Sequence, residues 1–274
     1  MTLKKGGYLK INDIKSNHQF LWKYVDLHRF IYLLTKQELF FTRLDKLDDP
    51  FEGLSTSFLR KNSEISKLEN TARYYNTLTN SSDEHIEKVK VVGELVKKFT
   101  TELSQTKQYV NCWFTGDRES MAMWNLYSNQ DSVALKADFN SVKESFKDSF
   151  KNFISLNGNN ISVIGDEITY LKLNPFDEKL KKQNLKYSAL KKDLSYAYEN
   201  EYRFLIVTKE SETEFATEIE LRKLFFSVPV KLENLKMTFI AHPKMENWKF
   251  ENLKELLKLT NLNVKLTKSP IVIK

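Results

Sequence analysis

The sequence predicts an α+β fold: a single mixed or antiparallel sheet core with packed helices and a helical insertion. Three observations carry this reading. Strand-like blocks recur along the whole chain without strict β-α-β alternation. Between them, apolar residues repeat at helical spacing. One stretch, 57–108, turns charged and helical with no linker on either side. Only 7 glycines and 5 prolines occur among 274 residues, so long flexible linkers are not expected. Residues 1–274 therefore read as one domain, with 57–108 inserted in it. A hydrophobic fraction of 41%, including 19 Phe and 12 Tyr, is ample for a core.

The elements follow in order. "LWKYVD" reads as a strand whose Asp26 caps a helix carrying Leu27, Phe30, Ile31 and Leu34 on one face. "ELFFTRL" is a second strand, and "DKLDDPFEG" a turn punctuated by Pro50 and Gly53. In the insertion, Ser81 and Glu84 have capping-box spacing ahead of a stripe from Ile86 to Leu103. "YVNCWFT" and "DSVALKADF" are strands flanking a short helix, "ESMAMWNLYS". Asn140 to Phe153 is a helix capped by Asn140, with Val142, Phe146 and Phe150 on one side. "NGNN" reads as a turn between strands, ahead of the β-branched "ISVIGDEITYLKL". A charged helix is expected over Phe176 to Leu194. Beyond it, "YENEYRFLIV", "TEIEL", "KLFFSVPV", "MTFIAHP" and "NVKLTKSPIVI" read as strands, with a helix from Asn247 to Leu259 before the last.

Bulk properties narrow the function classes. A formal charge of +7 permits a polyanionic partner without demanding one. The single cysteine, Cys112, excludes an intrachain disulfide and any zinc site built on cysteines. Neither a secretory leader nor an apolar run of membrane-spanning length is visible, so a cytoplasmic protein with no membrane partner is expected. There is no glycine-rich phosphate loop. The four histidines, His18, His28, His85 and His242, lie in separate elements, and no metal site is expected from them. Cys112, in an apolar strand, and the Met123 and Trp124 cluster read as core. Asp48, Asp49 and Glu52 read first as turn chemistry and second as a cation site.

The most chemically loaded stretch is "YENEYRFLIV". Strand alternation would set Glu199, Glu201 and Arg203 on one face, entering a buried strand. On pattern alone a structural ion pair is favoured. The same spacing also fits a catalytic pair, one carboxylate holding a ribose hydroxyl while the other activates a nucleophile.

In chain order, "LWKY", "LFFT", "DDPFE", "CWFTGDRESMAMWNLYS" and "ENEYR" resemble the motifs of the bacterial family called domain of unknown function twenty-nine seventy-one. Asp48 stands in place of that family's usual Asn, and "SNQDS" lacks its glycine. The resemblance implies kinship of fold. A looser similarity, a basic first strand, a hydroxyl-bearing second strand and a late E-x-E, is to ADP-ribosyltransferases. It implies that Lys23 contacts the ribose or phosphate of NAD, that Thr42 orders the active site, that Glu201 is the catalytic glutamate and that Glu199 is the upstream acid. Tyr24, Trp124, Tyr127 and Arg203 are the further residues set beside the cofactor. Lys23 departs from the Arg or His of that signature, and one ammonium lacks the guanidinium fork.

The similarity thus implies an NAD-using effector, a toxin or an anti-phage defence protein. It would modify a protein or nucleic-acid acceptor and could have a partner protein or antitoxin. The alternative is a nucleic-acid-binding or nuclease-like module, with Lys181, Lys182, Lys191 and Lys192 on one helical stretch and the carboxylates of "DDPFE" or "ENE" holding a metal. In a third, non-catalytic reading the ladder is structural within a partner subunit.

Overall fold

A computed structural model describes residues 8–15, 18–49, 52, 70, 91, 105–157, 161–172, 188–208 and 224–272. The insertion, apart from isolated residues and its last few, lies outside the described residues, as do Phe176 to Tyr187 and "TEIEL".

The first half holds strands β1 (Tyr8–Ile11), β2 (Phe20–Val25), β3 (Glu38–Arg43), β4 (Gln108–Thr115) and β5 (Val133–Asp138), with helices α1 (Leu27–Lys36) and α2 (Met121–Tyr127). The second holds helices α3 (Phe139–Asn157) and α4 (Asn247–Leu259) and strands β6 (Ile161–Glu167), β7 (Thr169–Leu171), β8 (Lys191–Asp193), β9 (Glu201–Thr208), β10 (Phe225–Pro229), β11 (Met237–Ala241) and β12 (Lys265–Lys268). Ten of these strands form one mixed sheet in the order β1-β6-β9-β4-β2-β5-β11-β12, with β3 joining β4 and β10 joining β3. The described residues adopt the predicted α+β class around one large mixed sheet, with β7 and β8 paired separately from it.

One face of the sheet carries the main core. Phe30, Leu33 and Leu34 of α1, Val142, Phe146 and Phe150 of α3, and Phe250, Leu253 and Leu257 of α4 pack with Leu21, Trp113, Tyr202, Phe204 and Phe239 of the sheet. Alternation on β9 sends Tyr202, Phe204 and Ile206 to that face and Glu201, Arg203 and Leu205 to the other. The opposite face meets the short helix α2, the two-stranded β7-β8 unit and a 3-10 segment, Leu194–Glu199. Among the described residues no helix is long and apolar enough to cross a membrane.

Local signals explain most boundaries. Asp26 accepts a hydrogen bond from the Arg29 N–H and opens α1, as its position before the apolar stripe predicts. Gln37 closes that helix in the left-handed conformation, its N–H bonded to the Leu33 carbonyl. Ser120 caps α2 through the Met123 N–H.

Three expectations need correction. Asp138, not Asn140, caps α3, because its carboxylate accepts from both the N–H and the hydroxyl of Ser141. "NGNN" follows a helix rather than a strand, since α3 runs on to Asn157. The charged helix expected over Phe176 to Leu194 does not hold for its described residues: Ser188–Leu190 are a 3-10 turn, and Lys191–Asp193 are a strand parallel to β7. Charge and helical propensity misled there because tertiary pairing overrides propensity.

Phe146 packs against Trp113, Phe150 and Phe204 and is 1% exposed. Truncating it to Ala should cost about 3–5 kcal/mol through lost burial and an unfilled cavity. Urea unfolding checks this: a midpoint near that of the wild type would mean α3 contributes little to the core.

Candidate active site

The site begins with an interrupted ladder on β4. On one edge β4 pairs with β9 from Gln108 to Phe114. On the other edge its two ends have different neighbours. Phe114 and Thr115 pair with Trp22 and Leu21 of β2, whereas Val110 and Tyr109 pair with Thr42 and Arg43 of β3. Between them Asn111, Cys112 and Trp113 have no described strand partner on that edge. Buried backbone polar groups need partners. Side chains bridge the gap: Lys23 Nζ donates to the Cys112 carbonyl at 3.0 Å, and Asn111 Nδ2 donates to the carbonyl of Phe40 on β3 at 2.7 Å. The parting of β2 from β3 opens a cavity of about 680 Å³.

Lys23 from β2, Thr42 from β3, Cys112 from β4 and Glu201 from β9 all line this cavity. Aromatic walls come from Trp22, Tyr24, Trp113, Tyr127 and Tyr196. Such a volume suits a nucleotide-sized ligand.

Behind Glu201 lies a buried charge network. Glu201 Oε2 accepts from Arg203 Nε at 2.5 Å, and its Oε1 lies 3.3 Å from Lys192 Nζ. Lys192 also donates to Glu199 and sits 3.8 Å from Glu52. Arg203 pairs with Glu52 and donates to the Ala189 carbonyl at 2.9 Å. Tyr127 donates its hydroxyl to Glu199 at 2.5 Å. Three carboxylates, Glu52, Glu199 and Glu201, therefore face two cations, Lys192 and Arg203, leaving one negative charge over.

That imbalance sets the protonation states. Burial disfavours ionised Glu201, but Arg203, Glu199 and Lys192 outweigh it and hold its carboxyl well below the usual carboxylate range. Burial, with the closeness of Glu201, pushes Glu199 up to about 7. Burial also works against the Lys192 ammonium, yet Glu201 and Glu52 prevail and raise it. Burial raises Glu52 as well. The site thus sets a carboxylate favoured as an anion beside carboxyls whose hold on a proton is strengthened, a division of labour suited to charge stabilisation and proton transfer.

Lys23 differs from Lys192. Among the described residues no carboxylate reaches its Nζ, which lies 5.5 Å from the Trp113 ring centre. Burial lowers it to about 8. Burial also pushes the Cys112 thiol up to about 12, as expected of a cysteine acting as a small hydrophobe.

The structure brings together Lys23, Tyr24, Thr42, Tyr127, Glu201 and Arg203. Glu199 is in the network, but not by strand alternation. It ends the 3-10 segment, and Asn200, left-handed at φ 38°, turns the chain into β9. The three-rung strand ladder is therefore corrected to a two-rung strand pair plus a turn residue. Trp124 is not in the cavity lining: it is fully buried against Tyr24 and His242, its Nε1 bonded to Glu119. Arg203, 1% exposed, is occupied by Glu201, Glu52 and Ala189, so it orients Glu201.

Sequence reasoning sets Lys192 and Glu52 apart from the Glu201 ladder, Lys192 in a basic helical stretch for nucleic acid and Glu52 in a turn or cation site. Both are buried in the charge network, and Lys191 is buried too. No periodicity links Glu52 to residues some 140 positions away. The "DDPFE" and "ENE" glutamates are engaged by Lys192 and Arg203.

The family described as protein of unknown function (DUF2971) matches the chain over residues 123–204, from α2 into β9. The resemblance read from the motifs holds across this stretch, which contains Tyr127, Lys192, Glu199, Glu201 and Arg203. No curated protein and no solved structure matches the chain.

Two outcomes follow from the charge network. Lys192→Met removes one of the network's two buried cations from three carboxylates and should destabilise the fold by about 3–5 kcal/mol, whereas the exposed Lys258–Glu255 pair is screened by solvent and should matter far less. Equal denaturation midpoints for Lys192→Met and Lys258→Met would contradict it. Glu199 has its folded value raised, so its stabilising contribution is full below the ordinary value of about 4.5 and is lost as pH rises through about 7. Stability measured from pH 4.5 to 7 should therefore fall more steeply in wild type than in Glu199→Gln. Parallel profiles would mean that Glu199 is not the proton holder.

Proposed function

We propose that a chain bearing this family's segment acts on NAD as an ADP-ribosyltransferase-like enzyme, with Glu201 as the carboxylate that serves the breaking glycosidic bond. The observation that carries this reading is the convergence of Lys23, Thr42 and Glu201, from three separate strands, on one cavity.

The chemistry follows from the wall. As the bond between the ribose C1′ and the nicotinamide nitrogen breaks, its electron pair leaves with the nicotinamide and positive charge develops on the ribose. A carboxylate locked in its ionised form by Arg203 and Lys192 stabilises that charge and can accept a ribose hydroxyl. Its fixed position means little reorganisation during the reaction. The acceptor's oxygen or nitrogen then bonds to C1′ and gives up a proton. Glu199, once ionised, stands next to Glu201 to take that proton, and the Tyr127 hydroxyl bonded to it steadies the charge. Lys23, together with Arg29 and Lys46 on the same cavity, supplies positive charge for the pyrophosphate. The acceptor is a protein or nucleic acid, and the toxin or anti-phage setting rests on the resemblance alone.

Purified protein incubated with NAD should release nicotinamide, followed by chromatography, and label acceptors in a cell lysate. Glu201→Gln should lower release at least about a hundredfold, the scale of losing a charge-stabilising group. Its thermal unfolding is recorded alongside, since the change also weakens the hold on Arg203. A wild-type protein that neither binds NAD nor releases nicotinamide would overturn the reading, and so would a folded Glu201→Gln protein with full turnover.

A further inference from the structure

We propose that Lys23 is a nucleophilic amine that captures a phosphorylated aldehyde in the cavity as an imine. Three lysines line this cavity, and two of them, Lys192 and Lys23, lie in opposite surroundings. Lys192 is held between Glu199, Glu201 and Glu52 and is bound to stay an ammonium. Lys23 has the Cys112 carbonyl as its partner, a contact that a neutral amine still makes, more weakly, since it has hydrogens to donate. Its stem leaves β2 where that strand parts from β4, beside the Trp113 ring. The charged or titratable groups acting on it are Cys112 on β4, Arg29 on α1 and Glu201 on β9. Burial is the strongest influence and brings the amine within reach of neutrality at physiological pH. Amines desolvated in this way form Schiff bases with carbonyl substrates.

The cavity also describes the ligand. Its aromatic walls accept a flat or sugar-like body, and Arg29 and Lys46, whose side chains are 70% and 49% exposed, offer positive charge for a phosphate. The step balances without a co-reactant. The lone pair of Nζ adds to the carbonyl carbon, the oxygen departs as water with both amine hydrogens, and a C=N bond forms. The aldehyde would compete with NAD for one cavity and one lysine, but the two readings have separate readouts, labelling of Lys23 and release of nicotinamide, so either can fail alone.

The test uses pyridoxal 5′-phosphate as the probe on the full-length protein, with borohydride reduction and peptide mass spectrometry. Lys23 should be labelled at least about tenfold faster than other lysines at pH 7.5, because it has more free base. Its labelling rate should rise with a midpoint near 8. Lys23→Met should remove this fast fraction while its thermal unfolding confirms a folded chain. Pyridoxal without the phosphate should react more slowly at Lys23. Label spread over other lysines with Lys23 unmodified would overturn the proposal, as would an unchanged fast fraction in Lys23→Met. Equal rates for the two probes would overturn the assignment of a phosphorylated ligand.

Discussion

Everything at the centre of this molecule depends on how β4 meets its hydrogen-bonding obligations. A central strand has two edges of N–H and C=O groups, and burial leaves none of them free. β9 satisfies one edge from Gln108 to Phe114. The other is divided between β2 and β3, with side chains of Lys23 and Asn111 bridging the gap. The cavity is therefore not a surface accident. It is the space left where two strands diverge from a third, and the residues at its rim are partly there to repair the ladder.

The charged network rests on the same strand order. Because alternation on β9 sends Tyr202 and Phe204 into the main core, Glu201 and Arg203 project from the opposite face. Buried charges without partners are prohibitively costly, so the opposite face must supply counter-charges from the chain around it. It does so from β8 through Lys192, from the turn before β9 through Glu199, and from the "DDPFE" turn through Glu52. Three acids against two bases make a proton, rather than another side chain, the balancing element. A ligand cation or a developing positive charge in the cavity meets that same surplus.

The sequence made the sheet legible because its signals are local. The apolar stripe and Asp26 located α1, the Asn247–Leu259 helix matched residue for residue, and alternation in "EYRFLIV" correctly separated core-facing from charged positions. Lys23, Thr42 and Glu201, which the looser similarity sets together, line one cavity. What stayed hidden depended on long-range contact. Lys192 and Glu52 acquire their roles from residues brought near only by folding, and Lys192 sat in a run whose charge suggests solvent. Trp124 misled in the other direction: its neighbourhood to Tyr24 is real, but the indole packs behind the cavity wall. Glu199 reached the network through a turn, a route that simple alternation does not describe.

That turn has a consequence for how functional residues are sought. Asn200 does not line the cavity. Its backbone adopts a conformation that glycine and asparagine tolerate far better than other residues. Its carbonyl accepts from the Thr115 N–H and hydroxyl, and its side chain donates to the Thr115 carbonyl, so it staples the end of β4 to the start of β9. The relative placement of the two glutamates is thereby governed by a residue with no chemistry of its own. A survey confined to side chains within reach of a ligand would pass over it, although it is the joint on which the pair is aligned.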